Sequence, residues 1–448
     1  MSSRVGAVFG TGNSFRGRLV RGGAGSLTVK LAGTLLAVLV AIILARALGP
    51  DGYGIYALVY AVVTLLAIPA QLGLPELMVR ETAKAHAREQ WGVLRGLWRW
   101  GTASVFVFSI ILLCLGLAGI WIIGERLGVQ QQATFLFGLF LVPLVALGNL
   151  RGAALKGLRR VVLGQLPQNI LRPGLLILFL MAVLVLFPSA PFTPAHAMAL
   201  HAVAAVIAFG VGAWILWNAR PNELKNRPLP VYIPREWFGA AFPLALIAGI
   251  HLINQHTDIL MIGIFCSMEE VGIYKVVVTG ATLVAFGLQA VNVMVAPYFA
   301  RLHTQGELVK LQRLVTLSAR AILALAIPVV ALFLFKGDVV LGLVFGEEYA
   351  VGHSALAILA LGQLVNAATG SVGTLLNMTG HERDTMRGLA VAAVANVLLN
   401  LALIPAFGIV GAAFATAISL VLWNFLLWWF VRNRLGIESM AFGIKAKE

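Results

Sequence analysis

Charge is what this 448-residue chain has least of. Only 11% of its residues are Asp, Glu, Lys or Arg, where a soluble protein of this length carries about a quarter. With a hydrophobic fraction of 60% and a mean hydropathy of +0.92, that scarcity excludes a water-soluble globular enzyme and makes lipid the solvent of most of the chain. Cysteine is nearly missing too. Cys114 and Cys266 are the only two, both in or beside apolar stretches, too few for a disulfide framework or a thiolate metal cage. The sequence has no G-x-x-x-x-G-K-[ST] phosphate cradle, no metal-spaced His or Cys cluster, and no Ser/His/Asp set in a recognisable local context. ATP hydrolysis, redox chemistry and a bound cofactor are therefore not expected.

What the chain does have is long apolar runs, about 20 residues being enough to cross a bilayer as a helix. Twelve are legible: 26–48, 53–76, 102–123, 133–150, 166–187 and 196–218, then 238–265, 271–298, 318–336, 353–377, 388–406 and 409–431. The expected fold is thus an all-α polytopic membrane protein of about 12 transmembrane helices. The first 25 residues are Gly/Ser-rich and basic, and the run after them exceeds a signal-peptide core, so it reads as a retained first helix.

The distribution of charge supports this count. Lys and Arg accumulate in cytoplasmic loops, and with the N-terminus inside, 27 of the 33 basic residues fall in inner loops. The outer loops carry instead Asp51, Glu125, Glu269, Glu270, Asp338, Glu347 and Glu348. The +15 net charge is then mostly topology, and no nucleic-acid partner is expected. Trp98, Trp100, Trp214, Trp217 and Trp237 cluster at predicted inner interfaces, where an amphipathic ring is at home. Every outer loop is short, which leaves a catalytic domain nowhere to fold.

The chain also echoes itself. GYGIYALV, Gly52 to Val59, returns 218 residues later as EVGIYKVV, Glu270 to Val277. Six helices per half put both halves on the same side at their start, so the repeat is parallel, its axis along the membrane normal. The expected organisation is a basic cytoplasmic tail (1–25), a six-helix lobe (26–219), a cytoplasmic linker (220–237), a second six-helix lobe (238–432) and a cytoplasmic tail (433–448). Two like lobes facing each other are a common way to build a transporter, since a site between them can open to alternate sides.

The stretch ARALGPDGYGIYALVYAVVTLLAIPAQLGLPELMVRETAK, Ala45 to Lys84, resembles the opening signature of the polysaccharide flippase family within the multidrug/oligosaccharidyl-lipid/polysaccharide exporter superfamily. FGEEYAVGHSALAILALGQLVNAATGSVGTLLNMTGHERDTM, Phe345 to Met386, and NLALIPAFGIVGAAFATAIS, Asn400 to Ser419, resemble its C-terminal half. The resemblance implies a carrier of undecaprenyl-diphosphate-linked oligosaccharide from the cytoplasmic to the outer leaflet of the bacterial cytoplasmic membrane. It also implies O-antigen, capsule or exopolysaccharide assembly, alongside a polysaccharide polymerase and glycosyltransferases.

Six basic residues escape the inner loops: Lys30, Arg46, Arg126, Arg172, Lys275 and Lys336. Arg126 and Lys336 read as outer-loop charges. The other four lie near or within helices, where a charge costs roughly 2.5 to 3.5 kcal/mol on insertion scales and so faces a cavity or a partner. With its helix beginning near Gln165, Arg172 stands two turns inside, the alternative being a helix-end arginine whose head reaches the inner headgroups. Lys30 and Arg46 are each about a turn from a helix end, where snorkelling is the alternative, and Lys275 follows the repeated GIY. For a diphosphate cargo, these four are the expected substrate-binding cations.

The seventh helix carries a polar stripe. At about 100° per residue, His251, Asn254, Gln255 and Asp258 share one third of the circumference. Asn254 and Gln255 are expected to line the substrate cavity. Asp258, with His251, is expected to take up a proton or sodium ion, the alternative being an aspartate satisfied by a neighbouring helix. Gln363, Asn366, Asn377, Asn396 and Asn400 are further lining candidates, although such residues more often bond adjacent helices. The rival readings are an organic-cation antiporter of the same superfamily, which would need acidic residues at its site, a membrane enzyme of the same pathway, and a non-transporting scaffold.

Overall fold

The computed structural model of the protein describes residues 15–226 and 228–442. Among them every regular element is helical. The first half gives α1 (Phe15–Gln71), α2 (Leu74–Ala87), α3 (Trp91–Ile123), α4 (Val129–Leu139), α5 (Leu141–Gly157) and α6 (Val161–Leu166). A π-helical turn, Pro167–Leu171, then leads into α7 (Arg172–Leu186), α8 (Pro194–Ala219) and the short α9 (Asn222–Lys225). The second half gives α10 (Pro234–Phe265), α11 (Met268–Thr304), α12 (Leu308–Phe345), α13 (His353–Thr369), α14 (Val372–Met378) and α15 (Glu382–Leu435).

Among the described residues nine helices are long and apolar enough to cross a bilayer. A tenth is added if the two segments of α10, Pro234–Ile250 and Asn254–Phe265, which meet at 54°, make one span. The count falls short of twelve because the chain runs through two expected loops without leaving the helix. Expected span 26–48 and most of 53–76 lie in α1, of 57 residues, and 388–406 and 409–431 both lie in α15, of 54. Each is more than twice the ~20 residues that cross a membrane. Each is broken where the loop was expected, at Gly49 (φ 66°) ahead of Pro50 and at Gly408 (φ 53°). Only glycine enters that left-handed region without a Cβ penalty.

The two copies of the repeat meet. α1 packs more extensively against α11 than any other pair of helices packs, and the contact centres on the equivalent glycines Gly54 and Gly272. A Cβ on Gly54 would lie 2.8 Å from the carbonyl carbon of Met268 and 2.9 Å from the Gly272 nitrogen. A Cβ on Gly272 would lie 2.9 Å from the carbonyl carbon of Pro50 and 3.0 Å from the Gly54 nitrogen. Pro50 stands four residues before Gly54 and Met268 four before Gly272, so the contact is two-fold symmetric. Small residues at such a crossing let backbones approach within membranes.

The segments outside the lobes have structure and contacts of their own. α1 is already helical from Phe15, inside the stretch expected as a tail. The linker lies along α3: Val231 N donates to Gly92 O (2.9 Å) and Arg95 Nη1 to Pro228 O (2.6 Å). The expected C-terminal tail packs back on α12 and α13. Glu438 N donates to Gln312 Oε1 (2.8 Å), Arg320 Nε to Ala441 O (3.0 Å) and Ala441 N to Ala368 O (2.9 Å).

Candidate functional site

Two confluent chambers lie between and beside the halves. The larger, of about 1290 Å³, is walled by both, with Gln71, Glu76 and Asn149 on one side and Asn292, Asn366 and Asn377 on the other. It lies at the end of the molecule that carries the basic loops, bordered by Lys156, Glu382 and Met386. The opposite end is shut by the Gly54–Gly272 crossing. There Tyr349 Oη also donates to Ala45 O (3.1 Å), and the Arg46 guanidinium donates to the carbonyls of Val344 (2.9 Å) and Leu343.

The second chamber, of about 750 Å³, shares Lys156, Gln165, Gln168 and Asn169 with the first and runs deeper. Its walls bring together Lys30 from α1, Lys156 from α5, Arg172 from α7 and Lys275 from α11, with no aspartate or glutamate among the lining residues. Arg172 follows the π-helical turn and precedes Pro173. The turn adds a residue to the helical path, a distortion frequent at functional sites. Arg172 Nη2 donates to Tyr60 Oη (3.4 Å). Tyr60 stacks on His201, ring centroids 5.2 Å apart. Tyr56, one turn earlier on α1, stacks on Tyr60 (6.3 Å) and holds His201 Nδ1 at 2.7 Å from its hydroxyl. The result is an aromatic wall beside a cluster of like charges, which an anion would relieve.

Three of the four expected cations, Lys30, Arg172 and Lys275, are thus neighbours of one chamber. Arg46 is not among its lining residues and caps the end of α12 instead. That position satisfies carbonyls that a helix terminus leaves without partners. Lys156 was counted as an inner-loop charge because it sits near a helix end. In the fold, α5 continues to Gly157 and carries it to the mouth of the chamber.

The stripe on α10 behaves differently from expectation. Asn254 is half-buried and Gln255 exposed, and neither lines either chamber. The side chain of His251 lies outside the described residues. Asp258 is buried and turned toward α11 and α15. It accepts hydrogen bonds from Tyr274 Oη (2.8 Å), Asn400 Nδ2 (2.7 Å) and Thr416 Oγ1. Asn400 Nδ2 also reaches Asn396 Oδ1 (3.1 Å). A buried carboxylate is costly without donors, and the neighbouring helices supply three. Asn366 and Asn377 do line the large chamber, and Gln363 bonds Asn366 (3.1 Å).

Comparison with known proteins places this architecture. Residues 19–303 match the family model described as polysaccharide biosynthesis protein. The probable low-salt glycan biosynthesis flippase Agl15 of Haloferax volcanii is 30% identical over 162 residues, 36% of this chain and 34% of Agl15. The probable flippase AglR of the same organism is 31% identical over 173 residues, 38% of this chain and 36% of AglR. The chain thus spans about a third of the length of these curated relatives. Among solved structures, an inward-facing multidrug resistance MATE family transporter superposes with a TM-score of 0.72 at 13% identity, covering 92% of this chain and 98% of that one. The lipid II flippase MurJ in an inward closed conformation gives 0.71 at 9% identity, covering 90% and 87%. Identities this low establish the fold alone.

Proposed function

The chain belongs to the polysaccharide biosynthesis protein family, and from that premise we propose that it is a flippase moving a polyprenyl-diphosphate-linked oligosaccharide across the membrane by alternating access. The observation that carries the reading is the deep chamber, in which Lys30, Lys156, Arg172 and Lys275 converge with no carboxylate among the lining residues. A guanidinium bonds two phosphate oxygens at once, and Arg172 is held beside Tyr60 with that fork facing the chamber. Tyr60, backed by His201, offers an aromatic face next to the charge for a sugar ring. The polyprenyl tail stays in the bilayer while the head group crosses.

The basic loops at the open end support a cytoplasmic side for that chamber, which makes this the loading state. The termini are then cytoplasmic, and the outer end is the one closed by Gly54 and Gly272. Outward movement of one or two negative charges down an inside-negative potential of about 100 mV is worth roughly 2 to 5 kcal/mol, so the diphosphate supplies part of its own driving force. Asp258, with its three donors, is the candidate for binding a coupling proton or sodium ion. The glycan biosynthesis flippase among the relatives supports a glycan cargo, and its carrier in this reading is undecaprenyl or a similar polyprenyl serving surface polysaccharide assembly. The fold shared with drug transporters supports a second reading, an organic-cation antiporter. The lack of a carboxylate in the wall of the deep chamber disfavours it.

The test is reconstitution in liposomes with an undecaprenyl-diphosphate-linked oligosaccharide, following exposure of its sugar to an impermeant glycosidase. Wild-type protein should expose the sugar, Arg172→Ala should lose at least about tenfold of the rate, and Arg172→Lys should recover part of it. Full activity of a folded Arg172→Ala variant would remove Arg172 from the site. Sugar that stays protected while an ion gradient drives efflux of an organic cation would replace the flippase reading with the antiporter.

A further inference from the structure

Away from the central chambers, the first half carries a second basic cavity. It lies on the outer, lipid-facing side of that lobe, at the basic-loop end. α5 is packed against both α3 and α8, and these two leave a crevice between them floored by α5. Both walls are made for lipid: Phe106, Val107 and Ile111 on α3 and Val206, Val211 and Trp214 on α8 are exposed. At the mouth a cavity of about 1080 Å³ is lined by Arg95, Arg99, Arg220 and Lys225 with Trp98 and Trp217, and by no acidic residue. It adjoins an apolar pocket of about 240 Å³ lined by Leu147, Leu150, Ala154, Phe209 and Leu216. The two share Trp98, Thr102, Trp217 and Arg220.

Two of the mouth cations are fixed. Arg95 donates to Pro228 O in the linker (2.6 Å), and the Arg220 guanidinium lies 3.3 Å from the centre of the Trp217 ring. The deeper pocket holds the more telling group. Arg151 is only 6% exposed, and one of its nitrogens donates to Phe209 O. Its Nε and Nη2 have no hydrogen-bond partner among the described residues, and none of the ion pairs found there includes it. The absence of a side chain at Gly212 is what lets the guanidinium lie against α8, since a Cβ there would meet its Nε at 2.7 Å. The guanidinium carbon lies 5.1 Å from the centre of the Phe209 ring; buried with open donors it is costly, and it leaves a positive charge beneath the mouth that an anion held there would offset.

We propose that this crevice is a binding site for an anionic phospholipid of the cytoplasmic leaflet, its glycerophosphate held by Arg99, Arg220 and Lys225 above Arg151 and an acyl chain lying in the apolar pocket. A free phosphate would use the cations but leave the pocket unfilled. A zwitterionic lipid would fill the pocket but present its own cation to the arginines. Basic pockets between membrane helices on the cytoplasmic side, flanked by interfacial tryptophans, have this headgroup chemistry. The site touches none of the residues that line the deep central chamber, so it stands whether or not the flippase reading does.

The experiment is quantitative: full-length protein is purified from phosphatidylcholine vesicles doped with phosphatidylglycerol, and retained lipid is counted by mass spectrometry of the intact complex. Wild type should retain phosphatidylglycerol selectively. Arg99→Gln with Arg220→Gln should lower its retention about thirtyfold, from the roughly fivefold contributed by each interfacial cation. Inorganic diphosphate should not displace it. Arg151→Leu should reduce retention further, and if that variant fails to fold, the Arg99/Arg220 pair alone decides the matter. Equal retention by the double variant and the wild type would overturn the proposal. So would equal retention of phosphatidylcholine, which would make the crevice a plain apolar groove, or displacement by inorganic diphosphate, which would make it a free-anion site. Selective retention of a polyprenyl diphosphate over phosphatidylglycerol would overturn it in favour of a substrate dock.

Discussion

The Gly54–Gly272 crossing makes a sharp demand on a two-state transporter. Replacing Gly54 by alanine puts a methyl group 2.8 Å from the Met268 carbonyl carbon and 2.9 Å from the Gly272 nitrogen, where carbon contacts settle at about 3.5 to 4.0 Å. The methyl also runs into the Met268 carbonyl oxygen, and none of these neighbours is a flexible side chain, so the helices must separate by more than about 1 Å. Overpacking of this kind costs about 1 to 3 kcal/mol. If the crossing is closed only in the inward-open state, the whole cost falls on that state and shifts the equilibrium toward outward-open by roughly 5- to 150-fold. The assay uses a single reporter cysteine at Thr282, which lines the deep chamber, with Cys114 and Cys266 replaced by serine. Labelling by an impermeant maleimide from the outer face should rise by that factor in Gly54→Ala. The symmetric contact requires Gly272→Ala to do the same. Gly210→Ala should change nothing, since a Cβ there meets nothing within 4 Å. Unchanged labelling in a folded Gly54→Ala protein would show that the crossing persists in both states and would refute its role as the outer seal.

Asp258→Ala removes the acceptor of three donors, at about 1 to 3 kcal/mol for each group left buried and unpaired, and should lower the thermal midpoint in detergent. Asp258→Asn keeps one acceptor and should stay folded while transport loses its response to a proton or sodium gradient; an unchanged response would exclude Asp258 as the coupling site. At the surface, burial alone would raise the Glu81 pKa, but hydrogen bonds from Lys84 and Arg80 outweigh it and hold the carboxyl below its usual value. Its stabilising contribution is therefore present above the unfolded pKa and lost as pH falls through the lowered folded one. Glu81→Gln should flatten the acid limb of the stability profile, and an unaltered profile would contradict the assignment.

What the sequence could reveal was whatever depends on local pattern. Apolar runs gave the helices, and the gaps left between them at 49–52 and 407–408 contain the non-helical residues of the fold, Gly49 and Gly408. The echo GYGIY/EVGIY marked the place where the halves touch. Side-chain partners were harder to read because they lie far along the chain. Arg46 finds its carbonyls 297 and 298 residues away, and Asp258 finds Asn400 and Thr416 at separations of 142 and 158. No spacing rule reaches that far, so an end-of-helix arginine and a wet stripe both looked like cavity lining. Arg151 and Lys156 failed for the opposite reason. Loop assignment sorts charges by position alone, whereas α5 runs on through both. The small residues Gly148, Gly152 and Ala153 around Arg151 were the available sign that a packed helix face continued there.

The repeated tyrosine shows how one symmetric backbone came to hold two kinds of site. Tyr56 and Tyr274 occupy the same place in the echo, two residues past the crossing glycines, and each reaches across its own half to the last long helical segment. Tyr56 meets His201 on α8 and stands in the wall of the cationic chamber. Tyr274 meets Asp258 and Thr416 in a network that ends on α15. Polarity has therefore separated between the halves, with cations gathered around the first tyrosine and a carboxylate around the second. Lys275 joins the two, because it follows Tyr274 directly yet lines the chamber of the first half. A rotation of α11 that loosens Tyr274 from Asp258 must also move Lys275 relative to Arg172, and α11 crosses α1 at Gly272, only three residues away. The outer seal, one chamber cation and the partner of the buried carboxylate are thus carried on a single turn of one helix, the shortest mechanical path by which occupancy of one could reset the others.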